Sequence, residues 1–89
     1  MTVLSEYDFE RITKELNAVP YKVIDGWCFV LDNEFYRLSL VRDLGGYMIE
    51  YAETKEEADK NFFEDLDVIP NDCNQDELIS NIVSFVKSL

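Results

Sequence analysis

WCFVLDNEFYRLSLVRDLGGYMIEYA, residues 27–52, is the stretch that decides the fold. It consists of three runs rich in β-branched and aromatic residues, separated by Asp32-Asn33 and by Asp43-Leu44-Gly45-Gly46, the residue types that accept turn geometry. Alternation along a strand sends successive side chains to opposite faces. With Trp27, Phe29 and Leu31 facing a core, a two-residue loop at Asp32-Asn33 pairs Phe29 with Tyr36 and Trp27 with Leu38, again on that face. Leu40 follows by alternation. A turn centred on Leu44-Gly45 then sets Leu40 opposite Ile49 and Leu38 opposite Tyr51, and a turn at Gly45-Gly46 would shift that last pairing without changing faces. Cys28, Val30, Arg37, Ser39, Val41, Met48 and Glu50 fall on the second face, of mixed polarity, which is expected to be half exposed.

Upstream, YKVIDGWCFVL carries Asp25-Gly26 between two strand-like runs and predicts a further hairpin, for four antiparallel strands in sequence order. Before it, Ser5 with Asp8 three residues on forms an acidic capping box, and Phe9, Ile12 and Leu16 form one helical stripe that ends ahead of Pro20. Downstream, Thr54 with Glu57 is a stronger capping box, and Ala58, Phe62 and Leu66 continue as an apolar stripe. After the irregular DVIPNDCNQ, Asn74 or Asp76 can cap a last helix with a wide stripe of Leu78, Ile79, Ile82, Phe85, Val86 and Leu89. The expectation is one α+β domain over residues 1–89: an N-terminal helix, a four-stranded antiparallel β-meander, and two C-terminal helices packed on one sheet face.

The composition, 47% apolar with 13% aromatic, is that of a chain that builds a core, despite its charge. Histidine is absent, which removes the commonest general base, the Ser-His and Cys-His nucleophile pairs and the imidazole ligands of most catalytic zinc sites. Two cysteines, Cys28 and Cys73, cannot complete a structural zinc site and are read as free thiols in a reducing compartment. The three glycines serve as turn residues, leaving no phosphate-binding loop. If Asp65 opened a calcium loop, its fifth and sixth positions would be Ile69 and Pro70, so the EF-hand pattern fails. Carboxylates remain for acid/base work, but a segment flanked by water-seeking charges offers no pocket to raise one pKa. No enzyme activity, metal or cofactor is expected. The N-terminus lacks a basic stretch followed by an apolar one, and a cytoplasmic protein is expected.

Of the net charge of −11, residues 50–77 carry −9, from eleven acids and two lysines. Such a field accelerates association with a basic partner and disfavours direct contact with nucleic acid or an anionic membrane. One reading of the acidic helix from Thr54 is a solvated face with Glu56–Lys60 and Lys60–Glu64 pairs. The other is an interaction surface, in which Phe63, about a hundred degrees around a helix from the core residue Phe62, is an anchor ringed by carboxylates. Burial of Phe63 beneath residues 65–74 is the competing placement.

GYMIEYAETKEEADKNFFEDLDVIP, residues 46–70, resembles small immunity proteins that accompany bacterial polymorphic and contact-dependent-inhibition toxins. The likeness lies in the strand ending IEYAET, the helix KEEADKNFFED and the proline after the acidic turn, about a third of the chain. It implies a cytoplasmic inhibitor that binds and blocks a cognate toxin domain, often a nuclease, with a basic surface. The positions it marks for partner binding are Glu50, Glu53, Glu57, Phe63, Glu64, Asp65 and Asp67. The alternative is an acidic adaptor or nucleic-acid mimic that inhibits a DNA- or RNA-binding partner. The chain is expected to be a monomer or a weak homodimer joined through Val30, Val41 and Met48.

Overall fold

The computed structural model describes residues 1–89. Helix α1 (Glu6–Leu16) is followed by strands β1 (Val19–Tyr21), β2 (Trp27–Leu31) and β3 (Glu34–Val41). A 3₁₀ turn (Arg42–Leu44) leads into β4 (Gly46–Ala52), and a short helix α2 (Lys55–Asp59) separates it from β5 (Glu64–Pro70). Helix α3 (Gln75–Lys87) closes the order. The architecture is α+β, with one antiparallel sheet ordered β1-β2-β3-β4-β5, so five strands replace the expected four.

The local signals act as the physics requires. Ser5 caps α1: the Asp8 N–H donates to Ser5 Oγ (3.2 Å) and the Ser5 N–H donates to Asp8 Oδ2 (2.9 Å). The same Asp8 oxygen accepts from Gln75 Nε2 (2.9 Å), tying the start of α1 to the start of α3. Asn17, left-handed at φ 55°, ends α1 three residues ahead of Pro20. Asp32 and Asn33 both take positive φ (52° and 66°), which matches the twist of a two-residue hairpin, and Phe29 pairs with Tyr36 and Trp27 with Leu38 as expected. Between β3 and β4 the faces are as expected but the register is not. Leu38 lies opposite Ile49 and Leu40 opposite Tyr47, a slip of two residues, because the 3₁₀ turn and left-handed Gly45 (φ 70°) reverse the chain earlier. The first hairpin also differs: Lys22–Gly26 form an open loop between β1 and β2, with no tight turn at Asp25-Gly26.

One face of the sheet carries the main core. Phe9, Ile12 and Leu16 of α1 and Leu78, Ile79, Ile82, Val83 and Val86 of α3 pack on Phe29, Tyr36, Leu38, Tyr47, Ile49 and Ile69. Each such side chain, fully buried, contributes roughly 1.5–3 kcal/mol. Phe29 stacks on Tyr36 with ring centroids 5.7 Å apart, and the Tyr47 hydroxyl accepts from the Leu4 N–H (2.7 Å), which fixes the N-terminal segment.

Helix α2 is not on that face. Its one buried residue, Ala58, packs with Cys28, Phe35 and Ala52 on the opposite side, joined by Tyr21, Val23, Val30 and Phe63. The expectation of both C-terminal helices on one face is therefore corrected: α1 and α3 share a face, and α2 covers part of the other. The second face is correspondingly less exposed than expected, with Cys28, Arg37 and Glu50 buried. No helix is long and apolar enough to cross a membrane.

The second helix is also much shorter than its apolar spacing implies. Thr54 and Glu57 form the expected capping box, but α2 ends at Asp59 and Asn61 turns left-handed (φ 63°). The chain then runs back along β4 as β5, with Tyr47 opposite Ile69 and Met48 opposite Val68. Two forces favour strand over helix here. β4 is a central strand whose second row of backbone groups needs partners, and Ile69 fills the core. Gly46 permits the approach, since a Cβ there would stand 2.2 Å from the Ile69 carbonyl oxygen. The register changes between Ile49, opposite Asp67, and Glu50, opposite Asp65, which leaves Leu66 as the extra residue of a bulge.

Candidate functional site

Beneath α2 the sheet carries a buried polar cluster. Arg37 and Glu50 face each other across β3 and β4, 7% and 9% exposed, in a two-pronged ion pair: Nε donates to Oε1 (2.9 Å) and Nη2 to Oε2 (2.8 Å). The Ser39 hydroxyl donates to Glu50 Oε1 (2.6 Å). Burial pushes the Glu50 pKa up, but the hydrogen bonds from Arg37 and Ser39 and the charge of Arg37 outweigh it, and the net shift is downward. The remaining nitrogen, Arg37 Nη1, donates to the Asn61 side-chain oxygen and to the Asp25 carbonyl oxygen (3.4 Å). The Phe63 ring covers the guanidinium, with its centroid 4.0 Å from Cζ. Arg37 thus fastens the left-handed turn that follows α2.

That fastening decides which phenylalanine is displayed. Phe63 is half-buried on Arg37, neither an exposed anchor nor covered by residues 65–74. Phe62, assigned to the core by helical spacing, is 66% exposed, and Leu66 is 38% exposed. The correction has one cause: once the helix ends at Asp59, the spacing Ala58-Phe62-Leu66 no longer describes a face.

A shallow cleft of about 410 Å³ lies beside Phe62, lined by Tyr51, Glu53, Glu57, Asn61, Phe63 and Glu64 among others. Tyr51 donates its hydroxyl to the Glu34 carboxylate, and this hydrogen bond, with desolvation and the neighbouring negative charges, pushes the phenol up to about 12. Glu53, Glu57, Glu64, Asp65 and Asp67 are all exposed. None is in an ion pair; the molecule's three ion pairs are Arg11–Asp76, Arg37–Glu50 and Glu56–Lys60. Lys60–Glu64, expected as a helical pair, does not form because Glu64 belongs to β5.

The cleft therefore brings together four of the seven acidic and aromatic positions singled out in the sequence, Glu53, Glu57, Phe63 and Glu64, while Asp65 and Asp67 follow along β5 opposite Glu50 and Ile49. Glu57 is occupied in part by capping, its Oε1 accepting from the Thr54 N–H (3.2 Å). Glu50 stands apart, its carboxylate enclosed with Arg37 and not displayed. Phe62, Leu66, Arg37 and Asn61 are what the sequence reading missed. Asn61, a residue that tolerates left-handed geometry, was the available signal that the helix breaks before the two phenylalanines.

With no group of three acidic, cysteine or histidine side chains placed to hold a metal, the surface around α2 and β5 offers carboxylates, the exposed ring of Phe62 and an open strand edge. The chain matches no protein-family model, no curated protein and no solved structure.

Proposed function

We propose that this chain is a stoichiometric protein inhibitor, an immunity protein that binds and neutralises a cognate bacterial toxin domain in the cytoplasm through the surface formed by α2 and β5. The observation that carries the reading is Phe62: a large aromatic ring 66% exposed, beside a cleft rimmed by Glu53, Glu57 and Glu64 and continuous in sequence with Asp65 and Asp67. An exposed aromatic with a charged rim is the makeup of an interface whose centre supplies affinity and whose edge steers encounter. The excess of unpaired carboxylates fits a partner with a basic surface, such as the nucleic-acid groove of a nuclease. Inhibition then consists of occupying that groove or a surface beside it.

The test is binding kinetics between this protein and the C-terminal domain of the polypeptide encoded immediately upstream, at low and high salt, with toxicity of that domain as the second readout. Tight binding whose on-rate falls with salt, with loss of toxicity, supports the reading. Reversing Glu53, Glu64 and Asp65 to lysine should slow association by about tenfold or more while leaving thermal stability nearly unchanged, since rim charges act on encounter. Phe62→Ala should speed dissociation. No binding to that domain rejects the toxin reading, and unchanged kinetics in the triple variant reject the acidic surface as its basis.

A further inference from the structure

The sheet has two edges, and they differ. β1 is only Val19-Pro20-Tyr21, and the missing N–H of Pro20 at its centre leaves little to pair with. β5 is seven residues long, no strand lies outside it, and Glu64, Asp65, Leu66 and Asp67 are exposed in succession. Edges of this length are normally blunted. Here the backbone is covered at one end, where the Val68 N–H is held by Asp67 Oδ1 (2.8 Å) and Pro70 has no N–H to offer, while the other end is guarded against a second copy by its carboxylates and the bulge at Leu66. At that end no proline or side-chain hydrogen bond covers the backbone donors over Glu64–Leu66, and exposed Phe62 lies just before it in the chain.

We propose that the outer edge of β5 over Glu64–Asp67 receives an extended basic segment of the protein partner as a sixth strand, next to the exposed Phe62; this deepens the inhibitor reading and rests on it. The occupant follows from charge. A second copy of this chain would set Glu64, Asp65 and Asp67 against the same residues, and like charges facing across a strand pair destabilise it. A segment alternating lysine or arginine with aliphatic residues places its cations against Glu64 and Asp67, which share the face of Tyr51 and Ile49 and are in no ion pair, while Asp65 lies on the other face beside Glu50. Its aliphatic side chains reach Leu66 and Phe62, 38% and 66% exposed. Main-chain hydrogen bonds supply affinity and the alternate side chains supply specificity, the general logic of strand addition. Asp67 and Pro70 close the far end of the edge, which fixes where the added strand stops.

The experiment titrates the full chain, labelled with nitrogen-15, with the peptide Lys-Val-Lys-Ile-Lys-Val-Lys at low salt. A second peptide of the same sequence, N-methylated at alternate residues, keeps every charge and side chain but loses the amide donors of one edge. The expected result is amide shifts centred on Glu64–Asp67, slowed hydrogen exchange there, and binding at least about tenfold weaker for the methylated peptide, since each strand hydrogen bond contributes on the order of a few-fold to tenfold. Equal affinity of the two peptides, or shifts centred on α2 with β5 unmoved, overturns strand addition. The two readings fail separately. A peptide that adds to β5 while the upstream toxin domain does not bind sinks the inhibitor reading and keeps the edge; a toxin domain that binds with β5 amides unshifted does the reverse.

Discussion

Replacing Arg37 with methionine keeps the aliphatic stem but removes the guanidinium that Glu50, Asn61, Asp25 and Phe63 all contact. Glu50 is left 9% exposed with only the Ser39 hydroxyl donating to it. Breaking a buried ion pair by deleting one partner costs about 3–5 kcal/mol, because the other charge stays desolvated and uncompensated. In a domain of this size that lowers Tm by on the order of 15–30 °C. The pH dependence gives the cause a signature. In the native protein the Glu50 pKa lies below its ordinary value of 4.5, so its stabilising contribution is present above that pH and is lost as the pH falls through the lowered pKa. In Arg37→Met the burial remains while the compensating groups are gone, so the Glu50 pKa rises. Folding of the variant then favours the protonated form and gains stability as the pH drops toward 4.5. The difference between the two proteins should accordingly be largest near neutral pH and shrink on acidification. Urea unfolding followed by the fluorescence of the single tryptophan, Trp27, at pH 7 and pH 5 measures it. The double variant Arg37→Met, Glu50→Leu should recover most of the loss, since an apolar pair of similar volume removes the stranded charge. A loss below about 1 kcal/mol at pH 7, or one that does not change with pH, refutes the assignment of Arg37 and Glu50 as a coupled buried pair.

The two phenylalanines should separate cleanly in the same unfolding assay: Phe63→Ala costs about 1–2 kcal/mol through its lost contact with Arg37, whereas Phe62→Ala stays within about 0.5 kcal/mol. Gly46→Ala forces β4 and β5 apart around the Ile69 carbonyl and should cost about 1–3 kcal/mol or more, read as a lowered urea midpoint. Burial pushes the Cys28 thiol up to about 11, so at pH 8 only about one molecule in a thousand carries its thiolate, and brief alkylation followed by mass spectrometry should find Cys73 modified and Cys28 intact until denaturant is added. Because Glu53, Glu57, Glu64, Asp65 and Asp67 repel one another and none is in an ion pair, moderate salt should raise the thermal midpoint of the isolated protein, while it weakens association with a basic partner.

What was legible in the sequence was what local chemistry dictates. Period-two alternation put Trp27, Phe29, Leu31, Tyr36, Leu38, Leu40, Ile49 and Tyr51 on one face and Cys28, Val30, Arg37 and Glu50 on the other, Asp32-Asn33 supplied its own turn, and Ser5, Thr54 and Asn74 capped the helices they precede. What was not legible depended on distant pairing. The slip of two residues between β3 and β4 is invisible to face assignment, yet it is what sets Arg37 opposite Glu50; the expected register put Ser39 there instead. β5 was hidden for a related reason. Its partner β4 is reached only after the chain reverses at Asn61, and Ala58, Phe62 and Leu66 happen to repeat at helical spacing. Strand pairing satisfied backbone groups along the whole of β4, and that outweighed a weak three-residue stripe.

The same reversal explains why the charge is concentrated here. Had the helix continued to Leu66, the carboxylates would have ringed a cylinder and Phe62 would have been buried against the sheet. Instead Arg37 binds Asn61 and stacks on Phe63, so the chain leaves α2 with Phe62 turned outward and enters an edge strand in which three of the first four residues are acidic. An apolar edge of seven residues would pair with a second copy; an acidic one repels it and remains open to a strand of opposite charge. On the proposed strand addition, self-exclusion and partner selection would both be served by the carboxylates along β5. The buried cation that holds the turn lies across the sheet from the main core, so the proposed binding surface rests on the small cluster beneath α2, and hydrogen exchange there should outpace that of the α1–α3 face.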